Sequence, residues 1–260
     1  MKIALIGRGR IGKAFLGHVF AADAPVELVG VLVKDKTRHA DAGCPVFTAL
    51  DDLLAVRPDW IVECAGQSAL AAYAAGSLRA GCNVLAVSSG ALADSTVLAE
   101  VRCAAREGQT QLCIPSGAVA GVDALAGAKL VGLTAVHYVR TAGPATWVRA
   151  GVLSEREARA LAAPHTVFKG SAREAVLRFP QNANVAATLA LAGIGFDLTR
   201  VQLIADPAAT GNTHRIEAQG AFGTLRTSMS TQVIPGTSTS LIVAASLAQA
   251  LLARMARVVV

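Results

Sequence analysis

Aromatic and charged residues are both scarce in this 260-residue chain, which is 53% hydrophobic but only 4% aromatic and 16% charged. Base stacking relies on aromatic rings, and the Lys and Arg residues behind the net charge of +6 are scattered along the chain. We therefore do not expect a nucleic-acid interface. Anionic small molecules explain the positive charge more simply. The apolar excess predicts an extensive aliphatic core and a buried subunit interface, and so a homodimer or larger assembly.

Paired cysteine motifs and long uninterrupted apolar runs are also missing. The five cysteines have no C-x-x-C spacing, and their odd number argues against a disulfide framework. We expect no metal site, buried reduced thiols and a cytoplasmic protein. Glycine, polar or charged residues interrupt each longer apolar stretch, so no membrane span is expected. Because an apolar strand begins at Met1, we expect no signal peptide.

A glycine-rich motif stands near the N terminus. Residues 7–12 (GRGRIG) separate an apolar run from a helical stretch, and a second apolar run ends two residues before Asp35. This is the order of a dinucleotide-binding βαβ unit: strand, G-x-G-x-x-G, helix, strand and acid. The glycines permit a tight turn, close backbone approach to the pyrophosphate, and close packing of helix on strand. The motif predicts that NAD or NADP binds here, with contacts from Gly7, Gly9, Arg10, Ile11 and Gly12.

The residues around Asp35 leave the choice between NAD and NADP open. An acid here accepts hydrogen bonds from the ribose 2′-hydroxyl, which favours NAD. The neighbouring Lys34, Lys36 and Arg38 could instead neutralise the 2′-phosphate of NADP, or simply form an exposed turn. We count Asp35 among the cofactor contacts.

The order of the elements predicts an α/β fold in two parts. Strands and helices alternate as far as residue 114, which indicates a Rossmann-type parallel sheet covered on both faces. Residues 133–141, 201–205, 213–219 and 225–230 then alternate with period two, as in an antiparallel sheet. We predict a dinucleotide-binding domain, residues 1–114, completed by a C-terminal helix within residues 236–260. Residues 115–235 would form a second, α+β domain for substrate binding and oligomerisation.

Several residues lie at the predicted carboxyl ends of the Rossmann strands, where ligands of open α/β sheets bind. We predict cofactor contacts from Ala65, Gln67 and Ser88, and a substrate contact from Ser116. Gln67 could equally be a solvated residue in the first turn of a helix. Glu63 lies inside an apolar strand, where a buried and paired carboxylate is the simpler interpretation.

Three motifs in the second half of the chain are distinctive: residues 114–123 (IPSGAVAGVD), 179–188 (FPQNANVAAT) and 211–216 (GNTHRI). Together with GRGRIG they resemble the L-aspartate dehydrogenase family of NAD(P)-dependent amino-acid dehydrogenases. The resemblance implies that Ala118 and Asn184 contact the dinucleotide and that His214 is the active-site residue. It also implies oxidative deamination of L-aspartate, or the reverse reductive amination of oxaloacetate.

These residues also have simpler interpretations. His214 could be a half-exposed strand histidine, and Asn182 and Asn184 could cap the following helix. Because deamination needs a group that exchanges protons near neutral pH, we interpret His214 as catalytic. Further candidate substrate contacts are Asn182, Thr239 and Ser240.

Two segments depart from the family pattern. Family members carry Lys-Pro-Pro where this chain has Ala142-Gly143-Pro144, and Asn-Pro-Lys-Thr-Ser where it has residues 236–240 (GTSTS). Two lysines that could serve a dicarboxylate substrate are therefore absent, at Ala142 and Ser238. Two alternatives stay open: a dehydrogenase or imine reductase for another small amino or oxo acid, and a protein that senses the dinucleotide without turnover.

Overall fold

The computed structural model describes residues 1–39, 41–180, 183–232 and 240–259. The chain forms two compact units, each with one β-sheet. Unit 1 consists of Met1–Gly117 and Val243–Val260, and unit 2 is Ala118–Ile242. Within the described ranges, no helix has the length and apolar character needed to cross a membrane.

Unit 1 contains a six-stranded sheet in the order β3-β2-β1-β4-β5-β6. Every pair in it is parallel, as the alternation of strands and helices predicted. The chain order of the strands reverses between β1 and β4, and ligands of such sheets bind beyond the carboxyl ends at that point. The strands are β1 (Lys2–Ile6), β2 (Glu27–Leu32), β3 (Val46–Phe47), β4 (Trp60–Glu63), β5 (Asn83–Ala86) and β6 (Leu112–Cys113).

The first four helices belong to unit 1: α1 (Arg10–Ala21), α2 (Leu50–Ala55), α3 (Gln67–Arg79) and α4 (Ser95–Glu107). Asp94 caps α4, because its carboxylate accepts hydrogen bonds from the backbone N–H groups of Thr96 at 2.8 Å and Val97 at 3.4 Å. A 3₁₀ turn, Ser89–Ala93, precedes this cap. Helix α4 therefore begins only at Ser95.

Unit 2 contains a five-stranded sheet in the order β11-β10-β7-β9-β8. Its strands are β7 (Leu133–Ala142), β8 (His165–Ser171), β9 (Arg200–Ala205), β10 (Asn212–Gly220) and β11 (Gly223–Thr231). The expectation of a purely antiparallel sheet is wrong at one pair, because β7 and β9 run parallel. The long connection between them allows this, since parallel neighbours need a crossover rather than a tight turn.

Strand β8 did not emerge from the sequence pattern. It shifts register between Thr166 and Phe168 where it pairs with β9, and its burial does not alternate regularly. A bulge of this kind interrupts the period-two signal on which strand prediction depends.

Five helices of unit 2 connect these strands: α5 (Val122–Gly132), α6 (Pro144–Arg149), α7 (Glu155–Ala160), α8 (Ala172–Arg178) and α9 (Asn184–Ala192). A capping box at Ser154 and Glu157 begins α7, and an equivalent box at Ser171 and Glu174 begins α8. Helix α6 was not predicted. It has only six residues and, unlike α7 and α8, no side-chain N-cap that would mark its start in the sequence.

The last helix, α10 (Leu241–Leu252), returns to unit 1, as predicted. Its Leu247 and Leu251 are fully buried in the same cluster as Leu5 and Phe15. The end of the chain therefore completes the core of the parallel sheet.

Helix α1 packs closely on the sheet at Gly12. A Cβ atom there would lie 2.8 Å from the carbonyl oxygen of Gly7 and 3.0 Å from Sγ of Cys64. A Cβ atom at Gly17, in the same helix, would meet nothing within 4 Å. Only the first of these glycines is therefore required by packing.

This contrast predicts opposite effects of two matched substitutions. Gly12→Ala should lower the free energy of unfolding by about 1–3 kcal/mol, because the added methyl group overpacks the contact between helix and sheet. Gly17→Ala should raise it by about 0.4–1 kcal/mol, because alanine favours the helix and restricts the unfolded chain. Urea denaturation of both variants measures the two effects. Equal effects would contradict the packing role of Gly12.

Candidate active site

The loop after β1 has the properties of a phosphate-binding turn. Gly7 has φ +88°, and a Cβ atom on it would lie 2.7 Å from Cβ of Ala65, so both conformation and packing require glycine there. Gly9 differs, because its φ of −79° is ordinary and its Cβ would meet nothing within 4 Å. Nothing in the fold requires glycine at Gly9, whereas close approach of a ligand to the backbone would.

The N terminus of α1 adds a second property. Gly9 is its N-cap, and no side chain there accepts a hydrogen bond from the first N–H groups. Such N–H groups, at the positive end of the helix dipole, bind anions well. The loop and the helix together therefore fit the pyrophosphate of a dinucleotide.

A cavity of about 560 Å³ lies beside this loop at the carboxyl ends of β1, β2 and β4. Three predicted cofactor contacts, Gly7, Gly9 and Ala65, line it. The other predicted contacts in unit 1 do not line it. Arg10 and Ile11 begin α1, Gly12 packs α1 on the sheet, and Gln67 begins α3. The lining residues that sequence reasoning did not name as cofactor contacts include Arg8, His39, Ser68 and Tyr73.

Positive side chains border the cavity where β2 ends. Lys34 and Arg8 line it, and Nη1 of Arg8 lies 2.7 Å from Oδ1 of Asp41. The Asp35 side chain accepts hydrogen bonds at Oδ1 from the Thr37 backbone N–H at 3.0 Å and the Thr37 hydroxyl at 2.6 Å. That carboxylate organises its own turn, and its contact with a ribose stays a prediction. Lys34, one of the three basic residues weighed for NADP, lines the cavity.

Glu63 joins the ends of β4 and β5. Its Oε1 accepts hydrogen bonds from the N–H groups of Ala65 at 2.7 Å and Gly66 at 2.8 Å, and from the Ser88 hydroxyl at 3.0 Å. The side chain is buried, and burial raises the pKa of its carboxyl group although these hydrogen bonds oppose the shift. Glu63 is thus a buried and paired carboxylate, and Ser88 is held by it rather than lining the cavity.

Ser116 connects the loop after β6 to α10. Its hydroxyl lies 3.1 Å from that of Ser246, which also accepts a hydrogen bond from the Gly117 N–H at 3.0 Å. Its predicted contact with substrate stays a prediction.

Unit 2 buries four polar side chains on one face of its sheet. We call Tyr138, Arg140, Asn212 and His214 the polar cluster; each is at most 5% exposed. The Tyr138 hydroxyl lies 2.8 Å from Nδ1 of His214, and Nη2 of Arg140 donates to Oδ1 of Asn212 at 3.1 Å. Arg140 and His214 are direct partners in the pairing of β7 with β10, so their side chains share one face. The interpretation of His214 as half-exposed is therefore wrong.

The cluster changes the proton affinity of His214. Burial, together with the positive charge of Arg140, lowers the pKa of His214 to about 3. The imidazole is therefore neutral at physiological pH, and titration near neutrality is not expected of the unliganded chain. Burial also raises the pKa of Tyr138, so its phenol stays protonated. Burial lowers the pKa of Arg140, but a guanidinium starts so high that it keeps its charge.

Trp147 of α6 fixes the position of Arg140. The Arg140 Cζ atom lies 5.4 Å from the centre of the Trp147 ring. The indole N–H donates to the backbone oxygens of Ile204 at 3.0 Å and Ala142 at 3.3 Å. Ala142, where the family resemblance leads us to expect a lysine, is fully buried at the end of β7.

The other predicted residues of unit 2 lie as follows. Ala118 is buried, and Ser240 is buried directly before α10. Asn184 is the first residue of α9, whose N-cap is Ala183, so the interpretation of Asn184 as a cap is wrong. Asn182, Ser238 and Thr239 lie outside the described residues.

Sequence reasoning missed the partners of His214. Tyr138 and Arg140 share the period-two phase of Val136, which places them on the buried face of β7. A charged residue in a buried phase is a signal for a functional site, because burial of a charge is costly unless something compensates it. This signal was available in the sequence.

Models of known protein families match residues of both units. Residues 7–115 match the family model of the homoserine dehydrogenase NAD-binding domain, and residues 123–254 match that of the aspartate dehydrogenase C-terminal domain. L-aspartate dehydrogenase 1 of Bordetella pertussis is 44% identical over 255 residues, which cover 97% of this chain and 95% of that protein. L-aspartate dehydrogenase of Ruegeria pomeroyi is 43% identical over 91% of this chain and 86% of its own.

A solved structure has the same fold. The crystal structure of aspartate dehydrogenase from Thermotoga maritima matches with a TM-score of 0.80 and 24% identity, covering 100% of this chain and 99% of that one.

The open space at Gly9 generates a prediction about cofactor binding. Gly9→Val should weaken NADH binding by about 10- to 100-fold, because a β-branched side chain would block contacts between backbone N–H groups and phosphate. The melting temperature should stay close to that of the wild type. Gly17→Val is the matched control, since it also points into open space but lies away from the loop. Fluorescence titration of NADH measures the affinity, and unchanged affinity in Gly9→Val would exclude this loop as the cofactor site.

Proposed function

This chain belongs to the aspartate dehydrogenase family and is an NAD(P)-dependent oxidoreductase, and we propose that its substrate is L-aspartate. Oxidation at Cα yields iminoaspartate, and water then releases oxaloacetate and ammonia. The reverse direction is the reductive amination of oxaloacetate. The observation that carries the proposal is the near full-length similarity to proteins named L-aspartate dehydrogenase.

The cofactor supplies the redox chemistry: nicotinamide accepts the hydride that leaves Cα of the amino acid. The residues proposed to hold the pyrophosphate are the backbone of Gly7 and Gly9 and the N terminus of α1. We further propose that Lys34 and Arg8, which border the same cavity, serve the phosphate of NADP.

His214 is proposed as the group that exchanges a proton with the amine, the imine or water. Three properties support this role. The side chain is buried, it belongs to a hydrogen-bonded cluster, and its imidazole is neutral and thus able to accept a proton. A base with so low a pKa is weak in the unliganded protein, so the role requires a change in its surroundings when substrate binds.

One observation favours a second candidate, namely a dehydrogenase for another small amino or oxo acid. Ala142 stands where the family resemblance leads us to expect a lysine, and no charge can come from that position. The two candidates differ in substrate only, since both use the same cofactor site and the same histidine.

We also propose that the enzyme is a cytoplasmic homodimer joined through the outward face of the sheet in unit 2. That face carries half-buried apolar side chains, among them Val139 and Ile204. An apolar sheet face in need of cover supports an interface there. Five free cysteines support a reducing compartment.

A substrate screen tests the proposed function. The purified protein should oxidise NADPH or NADH with ammonia and oxaloacetate, with a kcat/KM at least about tenfold above that for pyruvate or 2-oxoglutarate, because a correct polar contact discriminates strongly between substrates. Absorbance at the nicotinamide band follows the reaction. A preference for pyruvate would favour the second candidate, and cofactor binding without any turnover would indicate a sensor.

Replacement of His214 tests its proposed role. His214→Ala should lower kcat by about 10²-fold or more, the loss typical when a proton-transfer group is removed, while NADH affinity is retained. His165→Ala is the matched control, because His165 also lies on a strand of unit 2 but is exposed. If His214 only packs the strand, the variant will melt earlier but turn over normally.

A further inference from the structure

We propose that Arg140 binds a carboxylate of the substrate and holds it beside His214. The inference rests on the proposed function, because only an amino or oxo acid substrate brings such a carboxylate. It assigns a specificity residue to unit 2 that the sequence analysis did not name.

The first argument is position. Arg140 and His214 face each other across the pairing of β7 and β10, and both side chains are almost fully buried. A ligand held by Arg140 would therefore meet the imidazole directly. Water would be largely excluded, which strengthens the attraction between a guanidinium and a carboxylate.

The second argument is the way the guanidinium is held. Its Cζ atom lies 5.4 Å from the centre of the Trp147 ring, and its Nη2 donates to the Asn212 side chain, so two neighbours restrain the guanidinium before any ligand arrives. A guanidinium presents its N–H donors in a fixed, planar fork. Arginine is suited to such two-point binding of carboxylates, whereas a lysine offers only a point charge.

The third argument is the consequence for His214. Among the described residues, the titratable groups acting on its imidazole are Tyr138, by a hydrogen bond, and Arg140, by its charge. A carboxylate bound to Arg140 would offset that positive charge and so raise the pKa of His214, while burial, the larger cause of the lowered pKa, would remain. The imidazole would then be a somewhat better base when substrate is present.

Two substitutions at Arg140 test the inference. Arg140→Gln keeps a hydrogen-bonding side chain but removes the charge, and Arg140→Lys keeps the charge but removes the fork. Arg156→Gln is the matched control, because Arg156 is an exposed arginine of unit 2 that lies on α7, outside the sheet. Each variant is assayed in the full-length enzyme with ammonia and either oxaloacetate or pyruvate. NADPH affinity and melting temperature are measured on the same preparations.

We expect Arg140→Gln to raise the KM for oxaloacetate by about 10- to 100-fold, as for the loss of a charge-assisted contact. Arg140→Lys should raise it by about three- to tenfold. NADPH affinity should not change, and Arg156→Gln should behave like the wild type. A parallel rise in the KM for pyruvate would assign Arg140 to the carboxylate next to the reacting carbon, and a rise for oxaloacetate alone to the distal one.

A KM for oxaloacetate within about twofold of the wild type in Arg140→Gln would overturn the inference, whatever happens to kcat or to the melting temperature. If that variant does not fold, the KM of Arg140→Lys decides in the same way. Turnover of oxaloacetate by the wild-type enzyme separates the proposed function from the proposed role of Arg140. Failure to turn over oxaloacetate refutes the proposed function and this inference with it, whereas normal wild-type turnover with an unchanged KM in the variants refutes only the role of Arg140.

Discussion

The close contact between the loop after β1 and the loop after β4 is the constraint on which unit 1 depends. At Gly7 a side chain would collide with Ala65, and at Gly12 it would collide with the Gly7 carbonyl. The Glu63 carboxylate holds the loop after β4 in place, because it accepts hydrogen bonds from the N–H groups of Ala65 and Gly66. The backbone at Gly9 is therefore held rigidly while its own surroundings stay open. A binding loop needs this combination, since affinity is lost when a loop must be ordered by its ligand.

In unit 2 the main constraint is the burial of polar side chains on the sheet face that packs against helices. Tyr138 and His214 are hydrogen-bonded to each other, Arg140 donates a hydrogen bond to Asn212, and the Arg140 guanidinium lies over the Trp147 ring. Such a network is costly when it is incomplete, and it locks side-chain positions when it is satisfied. The same cluster also suppresses the basicity of His214. Burial in the cluster stabilises the fold but weakens His214 as a base. A ligand that changes the local charge can raise its basicity.

The sequence predicted the helices and strands better than it predicted their pairing and the burial of their side chains. The glycine motif, the alternation of strands and helices, and the return of α10 follow from local patterns, and the structure agrees with them. The parallel pairing of β7 with β9, the bulged β8 and the short α6 depend on tertiary contacts that leave no period in the chain. At the site, the same limit applies to His214. Its residue type suggested titration near neutrality, but its pKa is lowered mainly by burial in the folded sheet. The charge of Arg140, which lies 74 positions earlier in the chain and becomes its neighbour only in that sheet, lowers the pKa further.

The location of Arg140 bears on the absent lysine at Ala142. Residues two apart on a strand point to the same face, so Arg140 and Ala142 address the same side of β7. A charge at Arg140 lies directly opposite His214, whereas Ala142 lies one step further along the strand. A positive charge at Arg140 therefore stands on the same face as a charge at position 142 would, but next to the imidazole. If Arg140 binds the substrate as proposed, the absence of a lysine at Ala142 does not remove recognition of a carboxylate from this face. One guanidinium would then both attract the substrate and, together with burial, influence the basicity of His214.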